Sequence, residues 1–170
     1  TTNPLILDRP VEDKLIVDLS EMNSRNLNST NDARYGNGSC SSNFNLFDEE
    51  LSSITNVAKD LTVIMQDAIK SDVYVYDSFF NILGAGGGSN VHHHLMRLDK
   101  QHGLDLASNK YSLVYYLSVG DQSSDQPGIL RLFDPDEDIL PHKGMITIIP
   151  AVRKHSAVYD GKTDRIMIGV

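Results

Sequence analysis

The clearest periodic signal in the chain is helical. Leu51, Ile54, Ala58, Leu61, Met65 and Ala68 recur at spacings of 3, 4, 3, 4 and 3 residues. That spacing puts them on one stripe of a helix, suited to packing against a flat apolar surface such as a sheet. Asp48 stands where a helix cap is wanted, and Glu49 and Glu50 follow in the first turn, where the dipole favours acids. Nearer the start, Leu15-Ile16-Val17 reads as a short strand. After Asp72 the pattern changes to β-branched and aromatic runs at 73–76, 79–83, 111–119, 129–133, 145–149, 155–159 and 165–170. Gly, Pro, Asp and Ser clusters separate them. Many short strands behind one amphipathic helix predict a mainly β jelly roll or barrel with a helical buttress.

Between these elements, residues 20–46 are rich in Asn, Ser and Gly and predict a long loop or lid. Two glycosylation-type triplets inside it, at Asn28 and Asn37, carry no weight without a secretion signal. The 170 residues suit one domain. Within it, 1–72 form the loop and buttress and 73–170 the β core.

Composition narrows the class but not the chemistry. Fifteen basic against 23 acidic residues give a net charge of -8, which argues against nucleic acid as a partner. No apolar run approaches the roughly 20 residues of a membrane helix. The single cysteine, Cys40, excludes an internal disulfide framework, and the first residues lack the pattern of a signal peptide. A cytoplasmic protein is the expectation.

Chemistry concentrates at His92-His93-His94, directly after Gly84-Ala85-Gly86-Gly87-Gly88. The glycine run has neither the Gly-Lys-Ser/Thr end of a phosphate loop nor a surrounding βαβ unit, so a tight turn between strands is expected. In extended backbone, His92 and His94 point one way and His93 the other. An HxH pair on one face is a ready bidentate site for iron, zinc, copper or nickel. His155 begins a later strand and could supply a third imidazole. Arg165, ten residues on, could hold a carboxylate through its fork.

With these residues in view, the chain resembles the Fe(II)/2-oxoglutarate-dependent dioxygenases, most closely an uncharacterised branch with an HxH…H metal motif. The segment from Asn81-Ile82-Leu83-Gly84 to His92-His93-His94 resembles the family's strand, glycine turn and first-ligand motif. Ser112-Leu113-Val114-Tyr115-Tyr116-Leu117-Ser118 is similar to its Tyr-Leu strand, and Gly128-Ile129-Leu130-Arg131-Leu132-Phe133 to its Gly-x-Leu-x-x-Phe strand. Pro141-His142-Lys143-Gly144 through His155 and Arg165 is similar to the distal-histidine and cosubstrate-arginine module. The resemblance implies a double-stranded β-helix with His92, His94 and His155 as ligands of Fe(II). It further implies that Arg165 and Tyr116 hold the distal carboxylate of 2-oxoglutarate and that Asn81 contacts the cosubstrate near the metal. The activity implied is hydroxylation of a small-molecule or peptide substrate with release of succinate and CO2. His94 stands where most of the family has a carboxylate, and Phe79 where a tryptophan is common. A homodimer is compatible with all of this.

Two other readings use the same residues. Gly86, His92, His94 and Asp99, with Gly144, Pro150 and His155, also resemble the two cupin motifs. In that case Asp99 joins the histidines as a metal ligand and 2-oxoglutarate is not used. A non-catalytic β-helix binding module is the third reading. Arg34 and Tyr35 are candidate substrate contacts in the lid, against an ordinary loop role. His102 and His142 read as surface residues, residues 134–138 as a solvated turn with an adventitious calcium site as the alternative, and Cys40 as a residue with no nucleophile role.

Overall fold

The computed structural model describes residues 3–26, 38–84, 87–97, 99, 105–121, 128–159 and 161–170. Eleven strands and three helices are formed among them. The strands are β1 (Leu5–Asp8), β2 (Ser24–Asn26), β3 (Ser39–Ser41), β4 (Phe79–Leu83), β5 (Gly87–His92), β6 (Tyr111–Ser118), β7 (Leu130–Leu132), β8 (Glu137–Ile139), β9 (Met145–Pro150), β10 (His155–Tyr159) and β11 (Arg165–Gly169). The helices are α1 (Asp13–Glu21), α2 (Ser52–Ile69) and the short α3 (Leu106–Asn109). A seven-stranded sheet runs in the order β1-β9-β6-β11-β4-β3-β2, and a four-stranded sheet in the order β5-β10-β7-β8. Every ladder is antiparallel.

Alternation along the strands of the large sheet builds two cores, one on each face. Leu113, Tyr115 and Leu117 of β6, Ile146 and Ile148 of β9, and Ile166 and Ile168 of β11 pack with Leu15, Leu19, Ile54, Val57 and Leu61 of the two long helices. Each such side chain stabilises the fold by about 1.5–3 kcal/mol when fully buried. Their neighbours Tyr116, Met145, Ile149 and Met167 point the other way and pack with Leu130, Leu132 and Ile139 of the small sheet. The expected mainly β architecture with a helical buttress is thus formed.

Arg9 ties the buttress to the sheet. It is 6% exposed and donates to Asp60 of α2 at 2.9 Å, to Glu12 at 2.7 and 2.9 Å, and to the Tyr115 hydroxyl at 3.1 Å. Tyr115 in turn donates to the carbonyl oxygen of Pro10 at 2.8 Å. Asp18 links the two helices, accepting from Ser53 Oγ at 2.5 Å and from Lys14.

Several local expectations are corrected. Leu15-Ile16-Val17 belongs to α1, not a strand, because Leu15 and Leu19 are four residues apart and bury on one face. Asp48 ends a 3-10 turn, Leu46–Asp48, and Glu49 is extended, so α2 starts at Ser52 and neither glutamate lies in its first turn. Residues 73–76 have strand composition but pair with no strand among the described residues; Tyr74 is 91% exposed, and nearby Ser78 bridges to Asn45. Propensity without a pairing partner makes no strand. Of the glycine run, Gly87 and Gly88 begin β5, while most of the connection from Leu83 of β4, where the tight turn is expected, lies outside the described residues. Parts of the expected 20–46 loop are strands, β3 beside β4 and β2 at the sheet edge, while Arg34, Tyr35, Asn28 and Asn37 lie outside the described residues, as does His102. The solvated 134–138 turn gives way at Glu137 to β8. Among the described residues, no helix is long and apolar enough to cross a membrane.

Candidate metal centre

Strand pairing brings the histidines together. His155, at the start of β10, stands directly opposite His92, at the end of β5, and the ladder shifts register just beyond this pair. Irregularities of this kind re-aim side chains near functional sites. His94 lies two residues past β5, where its backbone N–H donates to the carbonyl oxygen of Ala151 at 2.9 Å. The three rings converge, with centroids 4.5 to 4.9 Å apart. One ligand nitrogen from each lies within 4.8 Å of the others, and His94 Nε2 is 3.1 Å from His155 Nε2. Three imidazole nitrogens this close, with no acid among them, form a donor set for a divalent transition metal.

The protonation state fits the same role. The Nδ1–H of His155 donates to the Arg153 carbonyl oxygen at 3.0 Å, leaving Nε2 as the lone-pair nitrogen that faces His94. Burial pushes the His155 pKa down to about 4; the Arg153 carbonyl opposes that shift and the nearby His92 and His93 add to it. His155 is therefore neutral at physiological pH, the form that binds metal. His93 turns away, as alternation predicts: its Nδ1 accepts from the Leu95 N–H at 3.1 Å. It lines a groove of about 440 Å³ with Val91, His92, Leu95 and Lys154.

Asp99, the ligand of the cupin reading, is outside this cluster. It accepts from Lys110 Nζ and from the Met96 N–H, both at 2.7 Å. Burial alone would raise its pKa, but these two donors hold the carboxyl below its usual range. Its charge is already matched.

A second polar group lies between the sheets. Tyr116 of β6 and Asn81 of β4 flank Met167 of β11 in register, so the three share the inner face. Arg165 opens β11 and is 2% exposed. Its guanidinium donates to the Gly128 carbonyl oxygen at 2.9 Å and lies 4.7 Å from the Tyr159 ring centroid and 5.8 Å from that of Tyr116. Burial lowers its pKa while the two phenols oppose the shift, and a guanidinium remains charged. Burial pushes the Tyr116 phenol up to about 12, so it is an O–H donor. The structure thus sets Arg165 close to Tyr116, with Asn81 on the same side of the sheet.

Two further atoms mark this face. Asn81 Oδ1 and Thr147 Oγ1 are buried without a hydrogen-bond partner among the described residues. Thr147, fully buried on β9, lies near enough to Tyr116 to influence its ionisation but makes no aligned hydrogen bond. An unmet polar atom in an apolar core costs roughly 1–3 kcal/mol, so two on one face suit a polar ligand between the sheets. Sequence reasoning missed Thr147. The only trace of it is one polar residue on an inward position of the otherwise apolar run Met145–Pro150.

One strand spans the two groups. His155 and Tyr159, four residues apart on β10, reach the histidine cluster and the Arg165 guanidinium, roughly 13 Å of strand from end to end. Asp121 braces Tyr159 by accepting from its hydroxyl at 2.8 Å, and a Cβ at Gly120, whose φ is +67°, would meet that hydroxyl at 1.9 Å.

No family model matches the sequence, and a search of curated proteins returns no match. Solved structures do match. A Pseudomonas putida prolyl-4-hydroxylase is 14% identical, with a TM-score of 0.65 over 99% of this chain and 91% of its own. HygX from Streptomyces hygroscopicus, solved with nickel and 2-oxoglutarate bound, is 13% identical, with a TM-score of 0.71 over 99% and 82%. An oxidoreductase of the 2OG-Fe(II) oxygenase family from Burkholderia pseudomallei is 10% identical, with a TM-score of 0.66 over 98% and 83%. The fold is thus the double-stranded β-helix of the 2-oxoglutarate oxygenases, and this chain carries an HxH…H triad inside it.

Proposed function

We propose that the protein is a non-haem iron- and 2-oxoglutarate-dependent oxygenase that hydroxylates a small-molecule or peptide substrate. The observation that carries this reading is the single strand β10, which joins a three-histidine cluster to a buried guanidinium on the same interior face. A metal site alone needs only the first. A site for a ligand with both metal-binding and anionic ends needs both.

His92, His94 and His155 hold the metal through ring nitrogens, with His155 oriented by the Arg153 carbonyl. Three neutral ligands leave the full divalent charge uncompensated, which favours an anionic co-ligand. Arg165 binds the distal carboxylate of 2-oxoglutarate, and Tyr116 donates its phenolic proton to the same group. Thr147 and Asn81 supply the two unmet polar atoms on the inner face. The apolar side chains of Met145, Ile149 and Met167 keep water from the space between. When bound, iron and 2-oxoglutarate supply the redox chemistry, in which one atom of O2 enters a substrate C–H bond and the other appears in succinate as CO2 leaves.

The deciding experiment is an anaerobic titration with Fe(II) and 2-oxoglutarate together, read by the visible metal-to-ligand charge-transfer band. A band in the wild-type protein that is lost in His155→Ala supports the reading. Metal binding with no band and no 2-oxoglutarate affinity overturns it in favour of a metal site without cosubstrate.

A further inference from the structure

We propose that Arg153 is a positioning residue for the metal centre, because its buried guanidinium fixes the turn whose carbonyl oxygens orient two of the three histidines. The proposal rests on reading His92, His94 and His155 as a metal site.

Arg153 is 3% exposed. Burying a cation costs several kcal/mol unless its donors are met. Two of them are met by backbone: Nε donates to the Phe133 carbonyl oxygen at 2.8 Å and Nη2 to that of Pro135 at 2.5 Å. Both carbonyls belong to the turn between β7 and β8. That turn is tied back by the Phe133 N–H, which donates to the Lys154 carbonyl oxygen at 3.0 Å. The β7–β8 turn and residues 150–154 therefore form one unit, held by a two-pronged side chain.

The other side of that unit faces the histidines. The Arg153 carbonyl oxygen accepts from His155 Nδ1 at 3.0 Å, and the Ala151 carbonyl oxygen accepts from the His94 N–H at 2.9 Å. Arg153 N–H closes the turn on the Pro150 carbonyl oxygen at 2.9 Å. One short turn thus sets the ring rotation and tautomer of His155 and the backbone position of His94. His92 is set separately, by the ladder of β5. If the guanidinium is removed, the turn loses its anchor, and two ligands shift relative to the third.

Lysine is not an equivalent. It keeps the charge but offers a point-like ammonium where two carbonyls are met by a planar fork. Groups that orient metal-bound histidines typically affect metal affinity about 10–100-fold when lost, and that is the range expected for Arg153.

The test uses the full chain with Arg153→Lys and Arg153→Met, each titrated with Co(II). The readouts are affinity and the visible d–d spectrum, with circular dichroism and thermal unfolding recorded on the metal-free proteins. The expected result is that folded Arg153→Lys binds Co(II) about 10–100-fold more weakly than wild type, with an altered spectrum. Arg153→Met is expected to fall at least as far; if it does not fold, Arg153→Lys decides. Wild-type affinity and spectrum in a folded Arg153→Lys protein, even one with a lowered melting temperature, overturn the positioning role and leave the metal reading intact. Absence of Co(II) binding by the wild-type protein overturns both.

Discussion

His155 stands directly opposite His92 across the β5–β10 ladder, so two imidazoles from chain positions far apart are placed by strand register rather than by sequence spacing. His94 reaches the same point from the other side of His93. Replacing His92, His94 or His155 with Ala is expected to lower metal affinity at least tenfold, whereas His93→Ala is expected to leave it near wild type. Isothermal titration with Co(II) or Ni(II) checks this, and an equal loss from all four variants rejects the alternation argument.

Arg165 offers a cleaner separation between metal and cosubstrate. Arg165→Met should weaken 2-oxoglutarate binding by at least tenfold, as expected for loss of a charge-assisted pair of hydrogen bonds. Metal affinity should stay within about twofold, since the guanidinium lies at the Tyr159 end of β10. Equilibrium binding of 2-oxoglutarate to the metal-loaded protein reads the outcome; unchanged affinity removes Arg165 from the site.

Asp99 separates the oxygenase from the cupin reading. Because its carboxylate is matched by Lys110 and the Met96 N–H, Asp99→Asn should leave metal affinity unchanged. A loss comparable to that of His94→Ala makes it a ligand.

The pH dependence of stability follows from His155. Its folded pKa is about 4 against the usual 6.5, so below pH 6.5 the unfolded chain takes up a proton that the folded one refuses until about pH 4. Stability of the metal-free protein should therefore fall with decreasing pH across that window, by about 3 kcal/mol, and should not depend on this group above it. Urea denaturation between pH 7.5 and 4.5 tests the sign. His155→Asn should flatten the slope; an identical slope in the variant assigns it to other groups.

Away from the site, Arg9→Met should cost about 2 kcal/mol, because it leaves the Tyr115 hydroxyl and two half-exposed carboxylates without their buried cation. Urea denaturation measures the loss, and metal affinity should not change. A loss below about 0.5 kcal/mol, the range of ordinary surface substitutions, would mean that Arg9 is not the tie between buttress and sheet.

Much of this protein is determined by its sequence taken alone. The 3-4-3-4 stripe of α2, the inward-outward alternation of β6, β9 and β11, and the HxH pair are short-range patterns, fixed by the periods of helix and strand. These were enough for the mainly β class, the buttress and the pairing of His92 with His94 on one side of the chain. Other features depend on partners that local pattern does not contain. Val73 to Tyr76 has the composition of a strand but no strand beside it among the described residues, whereas Glu137–Ile139 is acidic and becomes a strand because Leu130–Leu132 lies alongside. Leu15-Ile16-Val17 is helical because its buried face is completed by α2. The same holds at the site: the convergence of His155 on His92, the buried hydroxyl of Thr147 and the grip of Arg153 on two carbonyls arise from register and packing between segments distant in sequence. Local periodicity decides which way a side chain faces; only the paired sheets decide what it faces.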